Sequence, residues 1–310
     1  MTSIIETTGS RTKPARVAAR FRRGLLAAAV VPLLLAAGCE EKMSPYFSGG
    51  SGGGSSRSLR SGNTVLGYGR VSYWAADLGL LKAELRACHE AGIGIYTASL
   101  LGWWGTAMPG ATEQQIRNQT EAAYKVLIDE CRSLGMIALI DIHNQNSGSG
   151  KYGEQGRALG DPAEVDLIDW GIELVRKHGP AGVVVVPCRE TSDASGLDVE
   201  RKCVERLDGF QLCANTGART WPAPGWADFA EWHPWAIAEA PPAGAIVVSD
   251  TGPILSQLNV GGAFGPGQPE IVRQWMMAGV AQGNPARVYY TLYPGPLDLA
   301  TIQAIGSAAP

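Results

Sequence analysis

Short apolar strand-like runs alternate with helix-patterned segments eight times along this chain, and that alternation restricts it to few folds. The clearest run is AGVVVVPCRETS at 181–192. Four consecutive valines between Gly182 and a polar turn read as a strand buried on both faces, as in a parallel sheet covered by helices. Strands are expected at 65–70, 94–101, 136–143, 183–190, 210–215, 227–233, 245–250 and 288–293. Helices are expected at 77–91, with Asp77 as N-cap and Gly92 as stop, and at 112–134, opened by the Thr112-Glu-Gln-Gln115 capping box. Others follow from Asp161-Pro162 to His178 and over 199–207, 270–281 and 299–305, whereas the connections after strands five and six are Pro- and Gly-rich and offer only short or irregular helices. Eight βα units in a region close to the usual size of about 250 residues predict an α/β fold, a (β/α)8 TIM barrel. An open doubly wound sheet is the alternative.

The N-terminus is organised differently. Six Lys/Arg precede an apolar run at 24–37 and then Gly38-Cys39, the layout of a secretory signal peptide, too short and wrongly flanked for a membrane span. Leu35-Ala-Ala-Gly-Cys39 resembles a bacterial lipobox, which makes Cys39 the expected lipidation site. An ordinary cleaved signal with a chance cysteine is the alternative. Residues 1–38 are then the signal peptide, 39–61 a Gly/Ser-rich tether and 62–310 the barrel domain. The expected location is the bacterial cell envelope, exported and lipid-anchored, with the membrane as a partner through that anchor.

Without residues 1–38 the chain has 20 Lys/Arg against 28 Asp/Glu, a formal charge of −8. An acidic domain of this kind carries no electrostatic footprint for nucleic acid. The remaining cysteines, Cys88, Cys131, Cys188, Cys203 and Cys213, include no CxxC pair, so no zinc site is expected. One or two disulfides fit an oxidising compartment, and the odd count leaves at least one thiol, with Cys188 expected as a small core residue.

In a barrel of this type, chemistry sits where strands end and βα loops begin. Those positions hold Arg70, the Trp103-Trp104 loop, Asp141, His143, Asn144, Glu190, Asn215, His233, Asp250 and Tyr293. Strand alternation puts Val184, Val186, Cys188 and Glu190 on one face, and Asp141 with His143 on another strand's matching face. Two carboxylates across an opening, Glu190 and Asp250, suit glycoside cleavage: one protonates the departing oxygen, and the other attacks the anomeric carbon or activates water. Glu231 is a weaker candidate for the second acid. Trp103, Trp104, Trp221, Trp226, Trp232 and Trp235 fall in or beside loops, and flat rings with polar edges suit sugar faces.

From Val65 onward the chain resembles the large (β/α)8 clan of retaining glycoside hydrolases that includes cellulases and mannanases. The resemblance rests on Leu139-Ile-Asp-Ile-His-Asn144, Arg189-Glu190, Phe229-Ala-Glu-Trp-His-Pro-Trp235 and Val247-Val-Ser-Asp-Thr-Gly252. It implies Glu190 as acid/base, Asp250 at the nucleophile position, and His143 and His233 as the histidines of strands three and six. Three positions depart from the clan's pattern: Arg189 stands where Asn is usual, Asp250 where Glu is usual, and Tyr293 is the nearest residue to the usual strand-eight Trp. The shorter Asp250 leaves retention and inversion both open, since these need carboxyl separations of roughly 5–5.5 Å and 6.5–9.5 Å respectively.

The expected activity is therefore glycoside hydrolysis with no cofactor and no metal, with Glu190 and Asp250 catalytic. Arg70, Trp103, Trp104, Asp141, His143, Asn144, Asn215, His233, Trp235 and Tyr293 are expected to bind the carbohydrate substrate. The alternatives are a non-catalytic surface lipoprotein binding a glycan or partner on a retired barrel, and a metal-dependent hydrolase using Asp141, His143, His233 and Asp250.

Overall fold

The structure is a computed structural model and describes residues 64–70, 77–99, 110–144, 162–189, 194–215, 224–233, 247–250, 266–291, 293 and 295–309, with the backbone alone at 144, 162–165, 167, 194–196 and 247–250. The signal peptide, Cys39 and the tether lie outside these residues, as do the connections 216–223 and 234–246 after the fifth and sixth strands.

Eight parallel strands close into a barrel in sequence order. They are β1 (Val65–Arg70), β2 (Ile95–Ser99), β3 (Ile137–Asn144), β4 (Val183–Arg189), β5 (Gln211–Asn215), β6 (Phe229–Trp232), β7 (Val247–Asp250) and β8 (Ala286–Thr291). Closure is made by β8 against β1, with Val65 opposite Ala286 and Arg70 opposite Thr291. The described helices are α1 (Leu78–Glu90), α2 (Glu113–Ser133), α3 (Pro162–His178), α4 (Ala194–Arg206), α5 (Pro269–Ala281) and α6 (Leu299–Gly306). Among the described residues, no helix is long and apolar enough to cross a membrane.

Local chemistry sets the helix ends. Asp77 accepts from the backbone N–H groups of Gly79 and Leu80 at 2.8 and 3.0 Å, so α1 begins with two otherwise orphaned donors satisfied. The Thr112–Gln115 capping box forms at α2. Several boundaries differ from the sequence reading, two of them for reasons visible in the residues. Helix α4 starts five residues earlier than expected, at Ala194, across a Gly196 that weakens the helical signal. Strand β8 starts two residues earlier, at Ala286, because Arg287 belongs to the strand rather than to a loop.

Two apolar layers hold the barrel. Inside it, Val65, Ile95, Ile137, Leu139, Val184, Val186, Cys213, Phe229, Ala286 and Val288 form a closed cluster, so the lower barrel is a packed core rather than a pore. Between sheet and helices lies the larger cluster, which includes Leu66, Tyr68, Tyr96, Ile140, Leu85, Leu127, Ile172, Trp275 and Ile302. Gly69 is required by a close approach of β1 to β2: a Cβ there would lie 1.9 Å from the carbonyl oxygen of Thr97. Cys88, Cys131, Cys188, Cys203 and Cys213 are all free and buried, so no disulfide forms among these five. Burial raises the thiol pKa of Cys88, Cys131, Cys203 and Cys213 and keeps these four protonated.

Candidate active site

The inner face of the barrel changes character along the strands. On β3, Ile137 and Leu139 are followed on the same face by Asp141 and His143. On β5, Cys213 is followed by Asn215, and on β6 Phe229 is followed by Glu231 and then His233 just past the strand end. On β8, Ala286 and Val288 are followed by Tyr290. Every one of these polar residues is buried. The two-residue period of a strand thus carries an apolar lower core into a polar layer at the C-terminal end.

Arg189 stands at the centre of that layer. Its Nε donates to Asp141 Oδ2 at 2.7 Å and its Nη2 to Asp141 Oδ1 at 2.9 Å. Its Nη1 donates to Glu231 Oε1 at 3.1 Å and lies 3.3 Å from His233 Nε2. The His233 Nε2 atom is also 3.0 Å from Asn215 Nδ2 and 3.5 Å from Glu231 Oε1. The Tyr290 ring lies beneath the guanidinium, with Cζ 4.5 Å from its centroid. One side chain of β4 therefore ties together β3, β6 and β8, and β5 joins through His233.

Fully ionised, two carboxylates against one guanidinium leave this buried group with an excess negative charge. Burial pushes the Asp141 carboxyl up to about 6, with Arg189 pulling the other way and Glu231 adding to the rise. Burial works against the Arg189 charge as well, but Asp141 and Glu231 outweigh it and hold the guanidinium well above its ordinary value.

The placement of Arg189 departs from simple alternation. Val184 and Val186 face inward, yet Cys188 belongs to the outer cluster and Arg189 reaches the interior. The change follows Pro187, which has no N–H for the ladder. Expecting Cys188 on the face of Val184 and Val186 is therefore incorrect.

Arg70 is not among the residues of the barrel interior. It continues the outward face of Leu66 and Tyr68, is 1% exposed, and pairs with Glu84 of α1, Nε to Oε2 at 2.8 Å. Its remaining donors hold the carbonyls of Tyr293, Gly295 and Pro296 at 2.7, 2.9 and 2.9 Å. Tyr293, expected at the end of β8, lies two residues beyond it, with its ring 5.8 Å from the Arg70 Cζ. The inward aromatic of β8 is Tyr290, whose two-residue spacing from Val288 was the available signal.

Glu190, Trp103, Trp104 and Trp235 lie outside the described residues, as does Trp221. Asn144 and Asp250 are described in backbone only, at the ends of β3 and β7, where Asn144 pairs in register with Arg189 and Asp250 with Tyr289. Trp226 precedes β6 and packs against the outer cluster, and Trp232 is buried, so these two serve packing rather than a loop platform. Among the described residues, no group of three His, Cys, Asp or Glu side chains comes together as a metal site.

The architecture is a (β/α)8 barrel. Solved structures with this fold include an endo-β-1,4-mannanase from Thermotoga petrophila, at 10% identity over 81% of this chain and 77% of that one, TM-score 0.51. An endo-1,4-β-mannanase from Rhizomucor miehei is similar at 9% identity over 79% and 94%, TM-score 0.50. A glycoside hydrolase family 5 structure from Bacteroides vulgatus matches 75% of this chain, which spans 61% of that protein's length, at 11% identity and TM-score 0.49. No protein-family model matches the chain. No curated protein sequence matches it either. At such identities the likeness is one of fold.

Proposed function

We propose that this protein is a glycoside hydrolase exported to the bacterial cell envelope and anchored there through Cys39. Glu190 protonates the leaving glycosidic oxygen, and Asp250 acts as nucleophile or as the base that activates water. His143, Asn144, Asn215 and His233 position the sugar, with aromatic faces from Trp103, Trp104 and Trp235.

The observation that supports this reading most is the buried polar layer built on Arg189. It lies at the C-terminal end of the strands, where barrels of this type carry their chemistry, and Glu190 is the next residue in the chain. The mannanase names of two fold neighbours make β-1,4-mannan the first substrate to try, with β-1,4-glucan beside it.

A second reading, a barrel that binds glycan without cleaving it, has one observation in its favour. The donors of Arg189 that face the layer are engaged by Asp141 and Glu231, so the residue standing where Asn is usual does not offer that residue's contact to a sugar hydroxyl. Hydrolysis assays on the purified full chain separate the two. Turnover that falls by about 10²–10⁴-fold in Glu190→Gln, with folding intact, supports the hydrolase. Glycan binding by calorimetry without turnover in the wild type supports the binding barrel.

A further inference from the structure

The protonation of His233 is set by its surroundings. Three groups converge on Nε2 of this ring: Arg189 Nη1 at 3.3 Å, Asn215 Nδ2 at 3.0 Å and Glu231 Oε1 at 3.5 Å. Arg189 is decisive among them, because a guanidinium only donates and does not lose its proton in a protein. Were Nε2 to carry hydrogen, an N–H would point at an N–H between buried side chains. Were it an acceptor, Arg189 and Asn215 would both donate to it, and the Asn215 amide nitrogen is already on that side. Glu231 would favour a proton on Nε2, but its Oε1 is closer to Arg189, at 3.1 Å, than to the ring, at 3.5 Å.

We propose that Arg189 holds His233 as a neutral imidazole protonated on Nδ1, which makes His233 a fixed hydrogen-bond donor at the C-terminal end of β6 rather than a proton-transfer group. Arg189 is then a positioning residue. It acts through His233, and it is itself held in place by the bidentate pair with Asp141 and by the ring of Tyr290. The consequence for the site rests on the hydrolase reading: acid and base duties stay with the two carboxylates, and His233 keeps a positioning role. The tautomer itself does not depend on that reading.

The charged and titratable groups facing His233 include Arg189 from β4, Glu231 from β6, Asp141 from β3 and Tyr290 from β8. Asp141 interacts electrostatically with the ring, and its protonation below about pH 6 removes a negative charge that favours an imidazolium.

The test is two-bond 1H–15N correlation on the full chain labelled at histidine, without substrate. The chain has four histidines, and the His233 signal is the one lost in His233→Gln. The expected spectrum shows the Nδ1–H tautomer of a neutral ring at pH 7. An Nε2–H tautomer or an imidazolium at pH 7 overturns the proposal. In Arg189→Gln, with the cation gone and Glu231 still beside the ring, proton affinity should rise more than tenfold, and an unchanged His233 in a folded variant overturns the role given to Arg189. If that variant does not fold, the wild-type spectrum decides alone. A protein without hydrolase activity still yields the tautomer, so the two readings fail separately.

Discussion

Arg189 grips Asp141 through two parallel hydrogen bonds, Nε to Oδ2 at 2.7 Å and Nη2 to Oδ1 at 2.9 Å, between side chains that are 1% and 0% exposed. A bidentate pair this deeply buried is costly to desolvate and costlier to break on one side, since the survivor is a buried charge with no counterpart. Arg189→Met should therefore lower unfolding free energy by about 3–5 kcal/mol, leaving Asp141 and Glu231 to repel each other. Urea unfolding measures it, and a loss below about 1 kcal/mol would mean that the carboxylates find other partners.

Asp141 gives this layer a pH dependence of definite sign. Its folded carboxyl titrates at about 6 against an ordinary 3.8, so the native state binds this proton more tightly than the unfolded chain. The stabilisation from this group is complete below pH 3.8 and is lost as pH rises through 6. The full effect is at most about 3 kcal/mol. Asp141→Asn cannot titrate here. Between pH 4 and pH 7 the wild type should lose about 2–3 kcal/mol relative to this variant by chemical unfolding, and parallel curves would rule the shift out.

The Arg70 ion pair makes a contrasting case. Glu84 accepts from Arg70 at 2.8 Å and from the Tyr96 hydroxyl at 2.6 Å, on the outer face of β1 and away from the barrel interior. Glu84→Ala should cost about 3–5 kcal/mol in stability by the same desolvation argument. Because neither group faces the interior layer, the KM for a carbohydrate substrate should stay within about twofold of wild type at a temperature where the variant is folded. A selective KM increase with little loss of stability would place Arg70 near substrate instead.

Much of the barrel was legible because parallel strands buried on both faces appear as plain apolar runs and because helix caps are local chemistry. Val65–Arg70 matches its expected bounds, and Asp77 and Thr112 cap the helices they were expected to cap. The site was less legible where direction mattered more than position. Arg70 is at a strand end, as expected, but its parity with Leu66 and Tyr68 sends it to the helices. Arg189 interrupts alternation after Pro187, so counting by twos from Val186 selects Cys188. Arg287 lies just before the expected strand at 288–293. Its stem lies under Gly279, where a Cβ would come within 2.6 Å of it, and its guanidinium lies 4.0 Å from the Trp275 ring centroid. Such neighbours lie on the preceding helix, and no single-strand pattern contains them.

Tyr290 offers a way to perturb Arg189 without touching a charge. Its ring lies 4.5 Å from the Arg189 Cζ and 6.2 Å from the His233 ring, and it is 5% exposed. A desolvated cation over an aromatic face gains about 2 kcal/mol, which an aliphatic residue of lesser volume does not supply. Tyr290→Leu should therefore cost about 2–4 kcal/mol, cavity included, whereas Tyr290→Phe, which keeps the face and loses only the hydroxyl, should stay within about 1 kcal/mol of wild type. If the ring acts through its face, the Phe variant also keeps the His233 15N signals of the wild type. Equal losses in Phe and Leu would assign the effect to the hydroxyl and remove the cation–π contact from the account of how Arg189 is held.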